Sequence, residues 1–386
     1  MSLIWIVAGE SSGDARAREL MHAMLALRSD LRFAGAGGPR MAELARGRFE
    51  DWIAESAVLG LWDVLRHYGY FRRKFHGMLR SIDEVQPDAV LLVDYPGFNL
   101  RLARALRRKG YSGKILYYIS PQVWAWNRSR IPKMARILDL MLCVFPFEKA
   151  MYEASGLKTE FAGHPLLEAL LAEKKSARRE DNLLALLPGS RRREVERNLP
   201  ALVAACRIVR TRRPNTQFEI AVASTSHARL AKEMTQGLEV TIQVGGAHDL
   251  MQRARAGIVC SGTATLEAAF FELPYCLIYK AAWLTFQVGV RIVDVRTLGI
   301  VNILNNYLQN PPPDPAEPAE PAPPVVREFI QHLARPEPMA LEAIRLLDDA
   351  NARTNMLSAF EKILSGLQPE GASRRAAVAA LAACRT

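Results

Sequence analysis

Short runs of apolar residues recur along this chain, and nearly every one stops at a small-residue or proline turn that opens a helical pattern. Leu3–Val7 passes through Gly9 to Asp14 into a helix patterned on Leu20, Met24 and Leu27. Ala89–Val93 stops at Asp94, Ile115–Ile119 at Ser120, Leu140–Val144 at FPFEKAMYE, and Thr159–Ala162 at Gly163, His164 and Pro165. Strands that are apolar on both faces and alternate with helices specify a parallel sheet covered on both sides. The expected fold class is therefore α/β, doubly wound. The pattern restarts beyond Glu168–Asn182, a charged, helix-prone stretch without strand character, where Leu183–Leu187, Phe218–Val222, Glu239–Val244 and Gly257–Cys260 read as further strands. A chain of 386 residues exceeds the size at which one core keeps growing. Two domains are expected, 1–170 and 171–369, joined in that charged stretch. Leu341–Leu367 reads as helical, and an alanine-rich helix closes the chain near 370–386.

In open α/β sheets, ligands gather at the carboxyl ends of the strands, so the turns there carry the functional reading. Cys260–Glu267 (CSGTATLE) is strand, tight turn and helix, and a helix that begins after a small-residue turn aims unpaired N–H groups and its positive dipole end at an anion. Ser261 can equally be the cap of an ordinary turn. Gly189, Ser190 and Arg191 after Leu183–Leu187 add backbone donors and a guanidinium suited to a leaving diphosphate. At the first strand, Glu10, Ser11, Gly13 and Asp14 lack the GxGxxG spacing of a dinucleotide site and suit a hydroxyl-rich ligand better. Asp94, held by a Pro-Gly turn, is placed to act as a general base on a substrate hydroxyl. Trp124 and Trp126, followed by Arg128 and Arg130, read as a sugar or acyl platform or as core. His164 reads as a structural residue between domains or as an acid/base.

The net charge of +11 implies attraction to nucleic acid, acidic lipid head groups or phosphorylated substrates, without choosing among them. Val58–Phe75 interleaves Trp62, Leu65, Tyr68, Tyr70 and Phe71 with Arg66, Arg72, Arg73 and Lys74, which suits an anionic membrane surface, stacked single-stranded bases or a core-facing helix. No apolar run reaches the roughly 20 residues of a bilayer span, and no basic leader precedes Leu3, so a cytoplasmic location is expected. Cys143, Cys206, Cys260, Cys276 and Cys384 are dispersed and form neither a disulfide framework nor a zinc pattern.

VAGESSGD, GAGGPRM, VDYPGFN, SPQVWAW, FPFEKAMY, GHPL, LLPGSRRREV and SGTATLE occur in the order and approximate spacing of the lipid-A-disaccharide synthase family, from Val7 to about Asn302. The chain resembles that family. The resemblance implies a GT-B glycosyltransferase, with two Rossmann-like domains facing each other across a cleft. It implies inverting transfer of a diacylglucosamine unit from UDP-2,3-diacylglucosamine to the 6-hydroxyl of 2,3-diacylglucosamine 1-phosphate, releasing UDP, with no cofactor and no metal. By similarity, Asp94 matches the catalytic aspartate and Arg191 the arginine on the donor diphosphate. Glu10 is a lesser candidate for the base. Ser190, Ser261, Gly262, Thr263, Ala264 and Glu267 fall in the donor segment, with Asn302 in GIVNIL and Glu328 and Gln331 in VREFIQ. Ser11, Gly13, Asp14 and Asn99 are the acceptor-side candidates.

A peripheral position on the cytoplasmic face of the inner membrane, through Val58–Phe75, is expected. In this fold the terminal helix can return to the first domain, and the family can form homodimers through its second. Val301 and the pair Asn305–Asn306 depart from the family pattern, and a Pro-, Glu- and Ala-rich insert, Asn310–Pro324, separates Asn302 from Glu328. Such a composition is expected to form an extended, mobile loop. Ala281–Val290 is an apolar stretch that could touch lipid, a partner subunit or the core. The alternative readings are another UDP-sugar transferase or epimerase of the same architecture and a basic nucleic-acid-binding protein. No nucleic-acid module is visible, so no nucleic-acid partner is expected.

Overall fold

A computed structural model describes residues 2–53, 68–125, 127–176, 178–281, 297–315 and 317–384. Most of Val58–Phe75 with Trp62, the side chain of Trp126, and Ala281–Val290 beyond its first residue lie outside these. The chain divides into two compact units, Met1–Glu168 with Leu367–Thr386, and Ala169–Gly366.

The first unit is built on strands β1 (Leu3–Ala8), β2 (Arg32–Gly37), β3 (Phe49–Asp51), β4 (Ala89–Val93), β5 (Lys114–Tyr118), β6 (Leu140–Cys143) and β7 (Thr159–Phe161). They pair in parallel in the order β3-β2-β1-β4-β5-β6-β7. Val90, Leu91, Leu92 and Val93 are fully buried, as a strand with helices on both faces must be. The strand order reverses between β1 and β4, and the crevice at such a switch point is where this architecture binds ligands. Gly9–Asp14 and Asp94–Asn99 leave the sheet there.

The last helix of the chain, Ala372–Ala383, belongs to this first unit. Its Ala376, Ala377, Ala380 and Leu381 join Ile6, Leu20, Met24, Leu116 and Leu142 in one core. Alanines let it approach the helix Ser11–Leu27 closely. Where the chain leaves and re-enters the unit, the two passages are tied together. His164 N–H donates to Leu367 O (3.0 Å), Ser373 N–H to Glu168 (2.9 Å) and Arg375 Nε to Ala162 O (3.0 Å).

The second unit carries β8 (Glu180–Leu187), β9 (Gln217–Val222), β10 (Thr241–Val244), β11 (Ala254–Cys260), β12 (Tyr275–Tyr279) and β13 (Glu328–Ile330), again parallel, ordered β10-β9-β8-β11-β12-β13. Its switch point lies between β8 and β11 and is flanked by Pro188–Arg191 and Ser261–Thr263. β8 starts at Glu180 rather than Leu183, because Glu180 pairs with Ala254 across a register shift in β11. The stretch Leu341–Leu367 is two helices, Pro336–Asp348 and Ala350–Ser365, broken where Asp349 turns extended and its carboxylate caps Ala352 N–H (3.0 Å).

The proline-rich insert forms neither helix nor strand among its described residues, yet its far end is pinned rather than loose. Asn305 Nδ2 donates to Pro323 O (3.2 Å), Ala322 N–H donates to Asn306 Oδ1 (3.0 Å), and Asn310 Nδ2 reaches Glu320 O and Pro321 O (3.3 Å each). Prolines supply carbonyls without N–H groups, so side-chain carboxamides are the natural partners. The Asn305–Asn306 pair therefore holds the far end of the insert.

Candidate functional site

At the switch point of the first unit, β4 ends in two consecutive left-handed residues, Asp94 (φ 47°) and Tyr95 (φ 48°), with Ile119 (φ 65°) at the end of neighbouring β5. Left-handed backbone costs roughly 1–2 kcal/mol per residue away from glycine, so the surroundings must impose it. Asp94 N–H donates to Tyr118 O (2.9 Å), and the Asp94 carbonyl accepts from the Tyr117 hydroxyl (2.6 Å) and from Asn99 Nδ2 (2.7 Å). Asn99 Nδ2 also reaches Val93 O (3.1 Å). The Tyr95 ring lies over Gly9, where a Cβ would stand 2.2 Å from Tyr95 Cδ1, so only glycine fits beneath it. Trp52 meets that ring edge-on at 6.1 Å, and its Nε1 donates to Ala8 O (2.7 Å). Pro96 then starts the helix Pro96–Arg108 at the position where a missing N–H costs nothing.

The clamp grips the backbone of Asp94, and its carboxylate accepts from Tyr95 N–H. Burial raises its pKa to about 6; the Tyr95 N–H bond opposes that rise and the negative charge of Glu10 adds to it. A carboxylate poised there can take a hydroxyl proton near neutral pH. Glu10 and Ser11 stand exposed at the same strand end. Asp14 does not join them: it is buried and accepts from Gly38 N–H (3.0 Å), Met41 N–H (3.0 Å) and Arg40 N–H (3.3 Å), capping the short helix Pro39–Ala42. Gly13 is buried within the first turn of its helix, and Asn99 acts on the backbone of Asp94. Of the acceptor-side candidates, Ser11 alone is open to a ligand.

Replacing Tyr117 by phenylalanine removes one bond of the clamp, worth about 1 kcal/mol. The expected result is a kcat lowered about fivefold with an unchanged donor KM. An unchanged kcat beside a lowered melting temperature would make the hydroxyl merely structural.

At the switch point of the second unit, Arg191 caps the helix Arg192–Arg212 with its side chain in solvent and an ion pair to Glu194 (3.0 Å). Glu194 Oε2 accepts from Ser190 N–H and Arg191 N–H (3.1 Å each), so a carboxylate already sits where these donors would hold an anion. The facing helix, Thr263–Phe270, starts at Gly262 (φ 143°) without a side-chain cap. Ser261 N–H is tied to Ile278 O (3.0 Å) and Thr265 Oγ1 to Gly262 O (2.7 Å), which fixes the turn and leaves exposed Thr263 at the helix start. Its positive end is open to an anion.

Glu267, one turn on, faces His248, which the sequence reading missed. His248 Nε2 stands 3.5 Å from Glu267 and Nδ1 2.7 Å from Glu173. The bond to Glu267 is the main cause of a histidine pKa raised to about 9; burial opposes it and Glu173 adds to it. The signal available in the sequence was the Gly245–Gly246 turn after β10, both residues left-handed, placing His248 in the first turn of Ala247–Arg253.

Asn302 and Glu328 meet, across the insert. Asn302 Nδ2 donates to Glu328 Oε1 (2.8 Å) and Val326 O (2.7 Å), and Glu328 accepts from Leu298 N–H (2.8 Å) and Gly299 N–H (2.9 Å), capping the helix Ile300–Gln309. Both side chains are spent on seating β13. Gln331, just beyond β13, is left-handed (φ 51°) and donates to Ala281 O (3.3 Å).

Trp124 is core, not platform. Its Nε1 donates to the buried Glu148 carboxylate (2.8 Å), which also accepts from Ser120 Oγ and Phe145 N–H (3.1 Å). His164 is buried, and that burial drives its pKa down to about 3, so it remains neutral. Among the described residues no His, Cys, Asp and Glu group stands ready to hold a metal ion, and no helix is long and apolar enough to cross a membrane.

Solved structures share this architecture. The UDP-GlcNAc 2-epimerase of Neisseria meningitidis bound to UDP-GlcNAc superposes with a TM-score of 0.62 at 10% identity, covering 99% of this chain and 100% of the other. The glycosyltransferase of kitacinnamycin gives 0.55 at 14% identity, covering 99% and 98%. These likenesses show the fold, GT-B-type α/β. In sequence, the lipid-A-disaccharide synthase of Trichlorobacter lovleyi is 38% identical over 384 residues, covering 97% of this chain and 95% of the relative. That of Geobacter metallireducens is 37% identical, covering 97% and 95%. A family model described as lipid-A-disaccharide synthetase matches residues 4–382, and the chain belongs to that family.

Proposed function

We propose that this chain, a glycosyltransferase by family, joins UDP-2,3-diacylglucosamine to 2,3-diacylglucosamine 1-phosphate, and that its two units divide the work. The observation that carries the reading is the clamped Asp94, a carboxylate on left-handed backbone whose pKa burial raises to about 6, at the switch point of the first unit. Asp94 takes the proton of the acceptor 6-hydroxyl as that oxygen attacks the anomeric carbon. The bond from that carbon to the diphosphate oxygen breaks on the opposite side, so the configuration inverts and the electron pair leaves with UDP. Charge growing on the diphosphate is met by the Arg191 guanidinium and by the uncapped helix start at Thr263 and Ala264. Glu267, held by His248, is placed to accept hydroxyls of the nucleoside.

Ser11 and Glu10 contact the acceptor. The basic helix Tyr68–Val85, with Arg72, Arg73 and Arg80 exposed, faces an anionic membrane surface on the cytoplasmic side, where both lipid substrates reside. A homodimer through the second unit belongs to the same proposal. The test is UDP release from UDP-diacylglucosamine with and without the monosaccharide 1-phosphate. Release that depends on the acceptor is expected. Conversion of the UDP-sugar to an isomer without acceptor would favour an epimerase, the chemistry of the Neisseria meningitidis neighbour.

A further inference from the structure

Asn198 lies within the helix Arg192–Arg212 with no exposed surface, and its one carboxamide serves three loops. Nδ2 donates to Pro188 O (2.9 Å) and to Cys260 Sγ (3.2 Å); Oδ1 accepts from Lys280 N–H (3.0 Å). Those partners stand at or just past the carboxyl ends of β8, β11 and β12, the adjacent strands at the switch point of the second unit. The contact continues into the Ser261–Thr263 turn, because Cys260 Sγ in turn reaches Ser261 O (3.5 Å). Burial keeps that thiol neutral, with its pKa raised to about 12, so it can act as both acceptor and donor.

We infer that Asn198 is a positioning residue for the donor diphosphate, setting the Gly189–Arg191 loop, the Ser261–Thr263 turn and the Lys280–Ala281 segment at fixed mutual distances. The inference rests on the donor-site reading given above. Its logic is that of preorganised groups: the Arg191 guanidinium on one loop and the helix start at Thr263 on another stabilise one anion only if something else fixes the loops before the anion arrives. A planar amide is suited to this, since its donor and acceptor are rigidly opposed and a buried Pro188 carbonyl and Lys280 N–H both need a partner. Gln331 also holds this segment, by donating to Ala281 O (3.3 Å).

The experiment compares wild type, Asn198→Leu and Asn198→Asp by calorimetric binding of UDP, by steady-state kinetics, and by hydrogen exchange at the Lys280 amide. Asn198→Leu removes all three contacts at similar volume; Asn198→Asp keeps the acceptor for Lys280 and loses the donor. The expected result for Asn198→Leu is a UDP Kd and a donor KM raised about tenfold, an acceptor KM near wild type, and faster exchange at Lys280. Asn198→Asp is expected to weaken UDP as well while sparing Lys280 protection. A lowered kcat with unchanged Kd and KM is the mark of a smaller folded fraction and overturns the inference. If Asn198→Leu fails to fold, Asn198→Asp decides, and wild-type UDP affinity there overturns it too. Wild-type protein that binds no UDP overturns the donor reading and the inference with it, whereas tight binding in wild type and Asn198→Leu alike overturns the inference alone.

Discussion

Asp94→Ala is expected to abolish turnover, lowering kcat at least about a thousandfold, within the range that general-base catalysis supplies, while UDP binds as in wild type. The separation follows from placement. Asp94 ends β4 in the first unit, and every residue assigned to UDP belongs to the second. Asp94→Asn tests the charge rather than the shape, since the clamp acts on the backbone carbonyl and on the Tyr95 ring and leaves the side chain unchanged in size. The pH profile checks the same assignment. The base works as a carboxylate, so activity is full above its pKa of about 6 and falls tenfold per unit below it. Removing the negative charge of Glu10 makes ionising Asp94 easier, so Glu10→Gln is expected to shift the acid limb to lower pH. A limb that stays in place, or an Asp94→Ala protein that loses UDP, would move the base elsewhere.

Arg191→Ala is expected to cost about a hundredfold in kcat/KM for the donor, the scale of one preorganised charge contact to a developing anion. Arg191 is well placed for such a loss. Its guanidinium is in solvent and its ion pair is to Glu194 on its own helix, so removing it leaves the core untouched and the melting temperature within about a degree or two. Arg191→Lys is expected to recover less than a tenth of the lost activity, because a lysine point charge cannot make two parallel bonds to a phosphate. Equal donor kinetics in Arg191→Ala and wild type would take Arg191 out of the site. A collapse of stability would instead mean that the Arg191–Glu194 pair is architectural.

Much of the fold was legible because its signal is local. Leu3–Val7, Ala89–Val93 and Leu183–Leu187 announce buried parallel strands by composition alone, and the turns behind them mark the carboxyl ends where chemistry gathers. What stayed hidden is long-range. β12 follows its helix through Glu272, Leu273 and Pro274 with little punctuation, and β13 is short and lies behind the insert, so neither could be read without its partners Gly257–Cys260 and Leu277–Tyr279. The candidate site divides in the same way. Asp94 and Arg191 were visible as polar residues at strand ends. Asp14, Asn302 and Glu328 look identical in sequence, but each is consumed by backbone N–H groups or by a partner distant along the chain. Tyr117, His248 and Asn198 act through geometry that no spacing rule encodes.

The first unit takes its final helix from the end of the chain, and this sets an order of events during synthesis. Domains ordinarily finish as they leave the ribosome, the earliest part first. Here the sheet from β1 to β7 emerges early but cannot close over Leu20, Met21 and Met24 until Ala376, Ala377, Ala380 and Leu381 have been made. All of Ala169–Gly366 is translated in between, so the second unit can be complete while the first still waits with an open apolar face. A premature stop in the last turns of the message would therefore spare the second unit and cripple the one encoded first.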